Sequence, residues 1–124
     1  MSYLLLILSG GIGSLFRYIL SKETGSHMPV NFPFGTLSVN LIGCFIAGIL
    51  YGIFENYVIS PNMRLIIFVG FLGGFTTFAS FGIETVNLIR QNEIWRSILN
   101  IIINNVGGIV LVYFGIIISK YIFK

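Results

Sequence analysis

Charge is what this chain has least of. Lysine, arginine and glutamate make up 9% of its 124 residues, against roughly 25% in an ordinary soluble domain. A monomer this small has too much surface to hide a side-chain complement that is 56% hydrophobic, so lipid is its natural solvent. Cysteine is nearly absent too: Cys44 stands alone, which excludes an intrachain disulfide and favours buried packing over reactivity. The one histidine, His27, is expected in a loop. With no metal-ligand cluster and no pairing of nucleophile and base in the sequence, an enzyme is not expected. The formal charge of +3 does not make a nucleic-acid surface, because the basic residues are scattered singly at helix ends, where such side chains snorkel to the interface.

The few charges divide the chain into uncharged runs at 1–16, 24–54, 65–83 and 97–119. A hydrocarbon core about 30 Å thick needs about 20 apolar helical residues. Three runs suffice alone, and the first must extend past Arg17. The polar segment 22–33, with Pro29 and Pro33, separates the first two spans. The chain therefore reads as a single all-α membrane domain over 1–124, with spans at about 3–21, 34–55, 63–90 and 97–121. A signal peptide is not expected, since residues 1–16 lack a basic leader and run into further spans.

Orientation is set by an excess of basic residues on the cytoplasmic side, and here the two sides nearly balance. Arg64, Lys120 and Lys124 fall on one side, and Arg17, Lys22, Arg90 and Arg96 on the other. Insertion in both directions is expected, and with it an antiparallel dimer about a two-fold axis in the membrane plane; insertion that follows a weak bias to one orientation is the plainer alternative.

Polar groups at membrane depth are costly and face protein or water. Adjacent glycines followed by two threonines, Gly73 to Thr77, lie mid-membrane in the third span, where helix propensity is poor. A helix break at about 73–77 is predicted, tolerated only where it is buried or lines a cavity, with freed carbonyls available to a cation. A Gly70/Gly74 helix contact is the plainer alternative. Phe78 and Phe81 follow on one helix face. They are either core or a pair whose positive ring edges meet a small anion. In the second span Asn40 can donate two hydrogen bonds to an anion or tie helices together. Gly43, Gly48 and Gly52 give that span a small-residue face. In the fourth, Asn100 and Asn104 share a face as a polar track or an interhelical zipper. The glycines at 10, 11 and 13 fit close packing better than a dinucleotide loop, whose third glycine and preceding strand are missing.

The segments GGIGSLFRY (10–18), GTLSVNLIG (35–43) and GFLGGFTTFASF (70–81), in that order and spacing, resemble the signature segments of the Fluc (CrcB-like) fluoride channels. The resemblance implies a fluoride-selective passive channel that exports cytoplasmic fluoride and gives fluoride resistance. It implies an antiparallel dual-topology homodimer in the cell membrane, with two narrow pores and a structural Na⁺ at the dimer centre. By the same resemblance Asn40, Phe78 and Phe81 line the fluoride path, and the backbone carbonyls of Gly73 and Thr76 bind Na⁺. Thr77, Ser80 and Glu84 fall near the break and its pore-facing side, and Arg17 sits at a vestibule or pairs with a helix end. Ala79 departs from a common serine. Asn100 and Asn104 stand where many members carry tyrosine and serine, keeping hydrogen-bonding capacity along the path. A heterodimer with a second homologous chain is the alternative assembly. A small multidrug antiporter is the rival function, but it needs a deep carboxylate, and Glu84 lies near a span end.

Overall fold

The computed structural model describes residues 3–123, and all regular structure in them is helical. Four helical segments are long and apolar enough to cross a membrane: Tyr3–His27, Phe34–Asn56, Pro61–Arg90 and Ile94–Ile122. The first runs six residues past the expected end at 21 and takes in His27, which sits in its last turn and not in a loop. Polarity does not stop a helix in interfacial water. Here the Ser26 hydroxyl donates to the Glu23 carbonyl and His27 Nδ1 meets the same oxygen at 2.8 Å. Pro29 ends the run, since a proline lacks the N–H and biases the preceding residue away from helix.

The first helix packs along the first half of the third span, and the second helix packs along the fourth. Glycine makes both contacts close. A β-carbon on Gly13 would run into the Phe71 carbonyl and one on Gly74 into the Gly10 carbonyl; on the other seam, Gly48 faces the Val112 backbone and Gly115 faces Phe45 and Ile49. Such small-residue seams replace the hydrophobic drive that lipid removes. The buried apolar core is accordingly thin, with Val39, Leu72, Phe75 and Phe81 at its centre, while large side chains such as Ile7, Leu15, Val69 and Ile109 point outward.

Most charged side chains keep to the span ends, Arg17 and Glu84 being the exceptions that lie within the first and third spans. Arg64 Nη2 donates to the Phe54 carbonyl at 3.0 Å, and Arg96 and Lys120 pair with Glu93 and Glu55 at 3.0 and 3.8 Å. Two stretches wind more widely than an α-helix, Leu65–Leu72 and Ile103–Gly107. Turns of that kind concentrate at functional sites.

Candidate functional site

In the third span the backbone leaves helical geometry at Thr76 (φ −85°, ψ 158°) and Thr77 (φ −145°, ψ 121°), and a new helix starts at Phe78. Gly73 and Gly74 themselves are helical. The extended pair is held by side chains. Thr77 caps the following helix, its Oγ1 accepting from the Ser80 N–H at 3.2 Å, a common N-cap arrangement. The Asn40 amide reaches across from the second helix and grips Thr77 twice: Oδ1 accepts from the Thr77 N–H at 2.9 Å and Nδ2 donates to the Thr77 carbonyl at 3.0 Å.

These diversions have a consequence for two carbonyls. In an unbroken helix the Thr77 N–H would go to Gly73 and the Ser80 N–H to Thr76, but both donors are taken elsewhere. Among the described residues the Thr76 oxygen keeps a long contact, 3.5 Å, from Arg17 Nη1. Gly73 and Thr76 thus present backbone oxygens without their usual helical donors, the chemistry a hard monovalent cation accepts.

Two cavities meet at Thr77, which lines both. One, about 210 Å³, is walled by Asn40, Cys44, Thr76, Phe78, Phe81, Asn104 and Asn105. Its rings stand 5.3 Å apart between centroids at 51°. Phe81 is buried at 7% exposure, but Phe78 is 77% exposed, so the sequence's single face divides into an inward ring and an outward one. The wide turn at Ile103–Gly107 lets the neighbours Asn104 and Asn105 line this cavity together. The other cavity, about 330 Å³, is polar, with Arg17, Lys22, Ser14, Ser21, Thr36, Ser80 and Glu84 around it. Glu84 Oε1 accepts from the Thr36 hydroxyl at 2.7 Å, and its Oε2 is buried without a hydrogen-bond partner among the described residues.

Apart from Gly73, which lines neither cavity, the expected residues sort into three groups. Asn40, Thr77, Phe78, Phe81 and Asn104 share the first cavity with Thr76. Ser80, Arg17 and Glu84 share the second. Asn100, at 1% exposure, is enclosed and donates to Thr85 Oγ1 at 3.0 Å. Both donors of Asn40 are engaged by protein, on Thr77 and on Asn104 Oδ1 at 3.0 Å. Among the described residues the Thr77 and Ser80 hydroxyl hydrogens have no protein acceptor, and neither have those of Ser14 and Ser21 on the second cavity. Thr36 and Thr85 were not singled out from sequence. Their signal was spacing, Thr36 lying four residues before Asn40 and Thr85 four after Phe81, hence on the same faces.

The CrcB-like protein family, camphor resistance (CrcB), matches residues 4–116. A protein of Parabacteroides distasonis named a fluoride-specific ion channel FluC is 44% identical over 118 residues, covering 95% of this chain and 92% of the relative. Proteins of the same name from Pyrococcus horikoshii and Solibacter usitatus are 42% and 40% identical, covering 94% and 97% of this chain and 94% and 99% of their own. With four membrane-length helices carrying the matched residues, this chain belongs to the CrcB-like protein family.

Proposed function

We propose that this chain is a multi-pass cell-membrane protein forming a fluoride-selective passive channel, which exports cytoplasmic fluoride and so gives fluoride resistance. The observation that carries the reading is its likeness, over more than nine-tenths of both chains, to relatives named fluoride-specific ion channels. The site chemistry agrees. Fluoride is small and strongly hydrated, so its path must replace lost water with donors, and conduction requires that none bind too tightly. The Thr77 and Ser80 hydroxyls and the ring edges of Phe78 and Phe81 are neutral, weak and in series. Arg17 and Lys22 raise the local anion concentration at the mouth of the polar cavity. The membrane potential supplies the drive, about 2.3 kcal/mol per charge per 100 mV, or nearly a fiftyfold gradient.

The working unit in this reading is an antiparallel homodimer. The 77% exposure of Phe78 beside an open cavity supports it, since a second copy would cover that ring and close the path. The near-equal basic counts on the two sides support dual insertion. That this chain has Asn40, Phe78 and Phe81 itself favours a homodimer over a heterodimer. A structural Na⁺ at the dimer centre fits the Gly73 and Thr76 carbonyls, whose helical donors go to Asn40 and to the Thr77 hydroxyl. The ion would supply positive charge that holds the extended segments of both copies together.

Expression in a bacterium deleted for its own fluoride exporter should restore growth in fluoride-containing medium. Cells that stay fluoride-sensitive with the protein verified in their membrane would overturn the assignment.

A further inference from the structure

A chain of hydrogen bonds with one direction runs from the first cavity into the protein behind it. Asn40 Nδ2 donates to Asn104 Oδ1 at 3.0 Å, and Asn104 Nδ2 donates to the Asn100 carbonyl and to Asn100 Oδ1, both at 2.9 Å. Asn100 Nδ2 donates to Thr85 Oγ1 at 3.0 Å, and the Thr85 hydroxyl donates to the Phe81 carbonyl at 2.7 Å. An isolated amide can turn over and exchange its oxygen for its nitrogen. These cannot do so freely, because the chain is anchored on groups of fixed role. The Phe81 carbonyl only accepts, so the Thr85 hydrogen is committed and its oxygen must receive Asn100. The Asn100 carbonyl also only accepts, so Asn104 must turn its nitrogen toward it. What Asn104 offers to Asn40 is therefore an oxygen.

We infer that Asn104 is a specificity-determining residue whose side-chain oxygen stands in for the anion at the Asn40 donor. The inference rests on the fluoride-channel reading and adds a mechanism of discrimination to it. Asn40 and Asn104 both line the cavity that also holds Phe78 and Phe81. With one Asn40 N–H committed to the Thr77 carbonyl, an anion entering there gains the other only by displacing Asn104 Oδ1, and the orphaned oxygen then weighs about tenfold or more against occupancy. Fluoride, small and the strongest hydrogen-bond acceptor among the halides, offsets that loss. Chloride, larger and a weaker acceptor, does not. Asn100 and Thr85 act one step back as positioning residues, holding the oxygen of Asn104 toward Asn40; neither lines this cavity.

The test is the fluoride-to-chloride flux ratio of the full chain in liposomes. Asn104→Val removes the competing oxygen, and chloride should then pass, so that the ratio falls about tenfold or more while fluoride still flows. Thr85→Val, outside the cavity, frees the Asn100 amide to turn its nitrogen toward Asn104, which is then held by the Asn100 backbone carbonyl alone, and should lower the ratio in the same direction by a smaller factor. Thr85→Ser, which keeps the hydroxyl, should hold the wild-type ratio. If Asn104→Val does not fold, the Thr85 pair decides alone. An unchanged ratio in the valine variants, or loss of both fluxes from folded protein, would overturn the inference. Absence of fluoride flux in the wild type would instead sink the channel reading itself.

Discussion

Asn40→Leu should abolish fluoride conduction, lowering flux by at least about a hundredfold. The leucine matches the amide in size but cannot grip Thr77. Its loss leaves the Thr77 N–H and carbonyl, now bonded at 2.9 and 3.0 Å, without partners at membrane depth, and it orphans Asn104 Oδ1 as well. Each buried group so stranded costs about 1–3 kcal/mol, so the extended pair Thr76 and Thr77 loses its fixed geometry and the two cavities lose the residue at which they meet. Flux through liposomes reads the result. Wild-type flux from the leucine variant would remove Asn40 from the account.

Gly74→Val should prevent the protein from being recovered as a folded species. The first helix crosses the third span with backbone against backbone, and a β-carbon at Gly74 would meet the Gly10 carbonyl and crowd the Ser14 nitrogen. Neither is a flexible side-chain end that can move aside. Overpacking a well-filled contact costs typically 1–3 kcal/mol, and two rigid helices sharing a seam with Gly13 against Phe71 leave the strain nowhere to go. Gly11→Ala is the control, since a β-carbon there meets nothing within 4 Å. Size-exclusion profile and thermal stability in detergent should separate the two: aggregation or a large drop in melting temperature for Gly74→Val, near wild type for Gly11→Ala.

Membrane-length helices were legible because they follow from run length between charges, and lipid imposes that length. The end of the first helix was not. Composition marks where apolar residues stop, whereas the helix continues through Lys22, Glu23 and His27 until Pro29 interrupts it. At the site, residue type and spacing left Asn40, Phe78 and Phe81 open between packing and anion contact, and it was the family resemblance that put them on one path; with Thr77 they line one cavity. Helical spacing could not say which ring turns inward, because that depends on how the segment after Thr77 is tilted against the fourth helix. Nor could it say that both Asn40 donors are engaged, which requires knowing that Asn104 comes from the fourth helix to meet it. Ser80 lies only one residue from Phe81 yet opens on the other cavity, as neighbours on a helix must when the helix forms the wall between two spaces.

Asn100 illustrates a different limit. Sequence set it on one stripe with Asn104 as a polar track or a zipper, and spacing alone cannot separate those. Its 1% exposure and its bonds to Asn104 and Thr85 make it a buried brace. A polar side chain at membrane depth here meets its cost by satisfying another, which in turn faces the cavity.

The central claim is selective passive movement of fluoride through this protein alone. Purified protein in otherwise protein-free liposomes, loaded with fluoride and chloride and released down a gradient by a potassium ionophore, tests it directly. The account predicts rapid fluoride efflux on a fluoride electrode with chloride retained. Chloride leaving as fast as fluoride, or fluoride staying inside vesicles that contain folded protein, would contradict it.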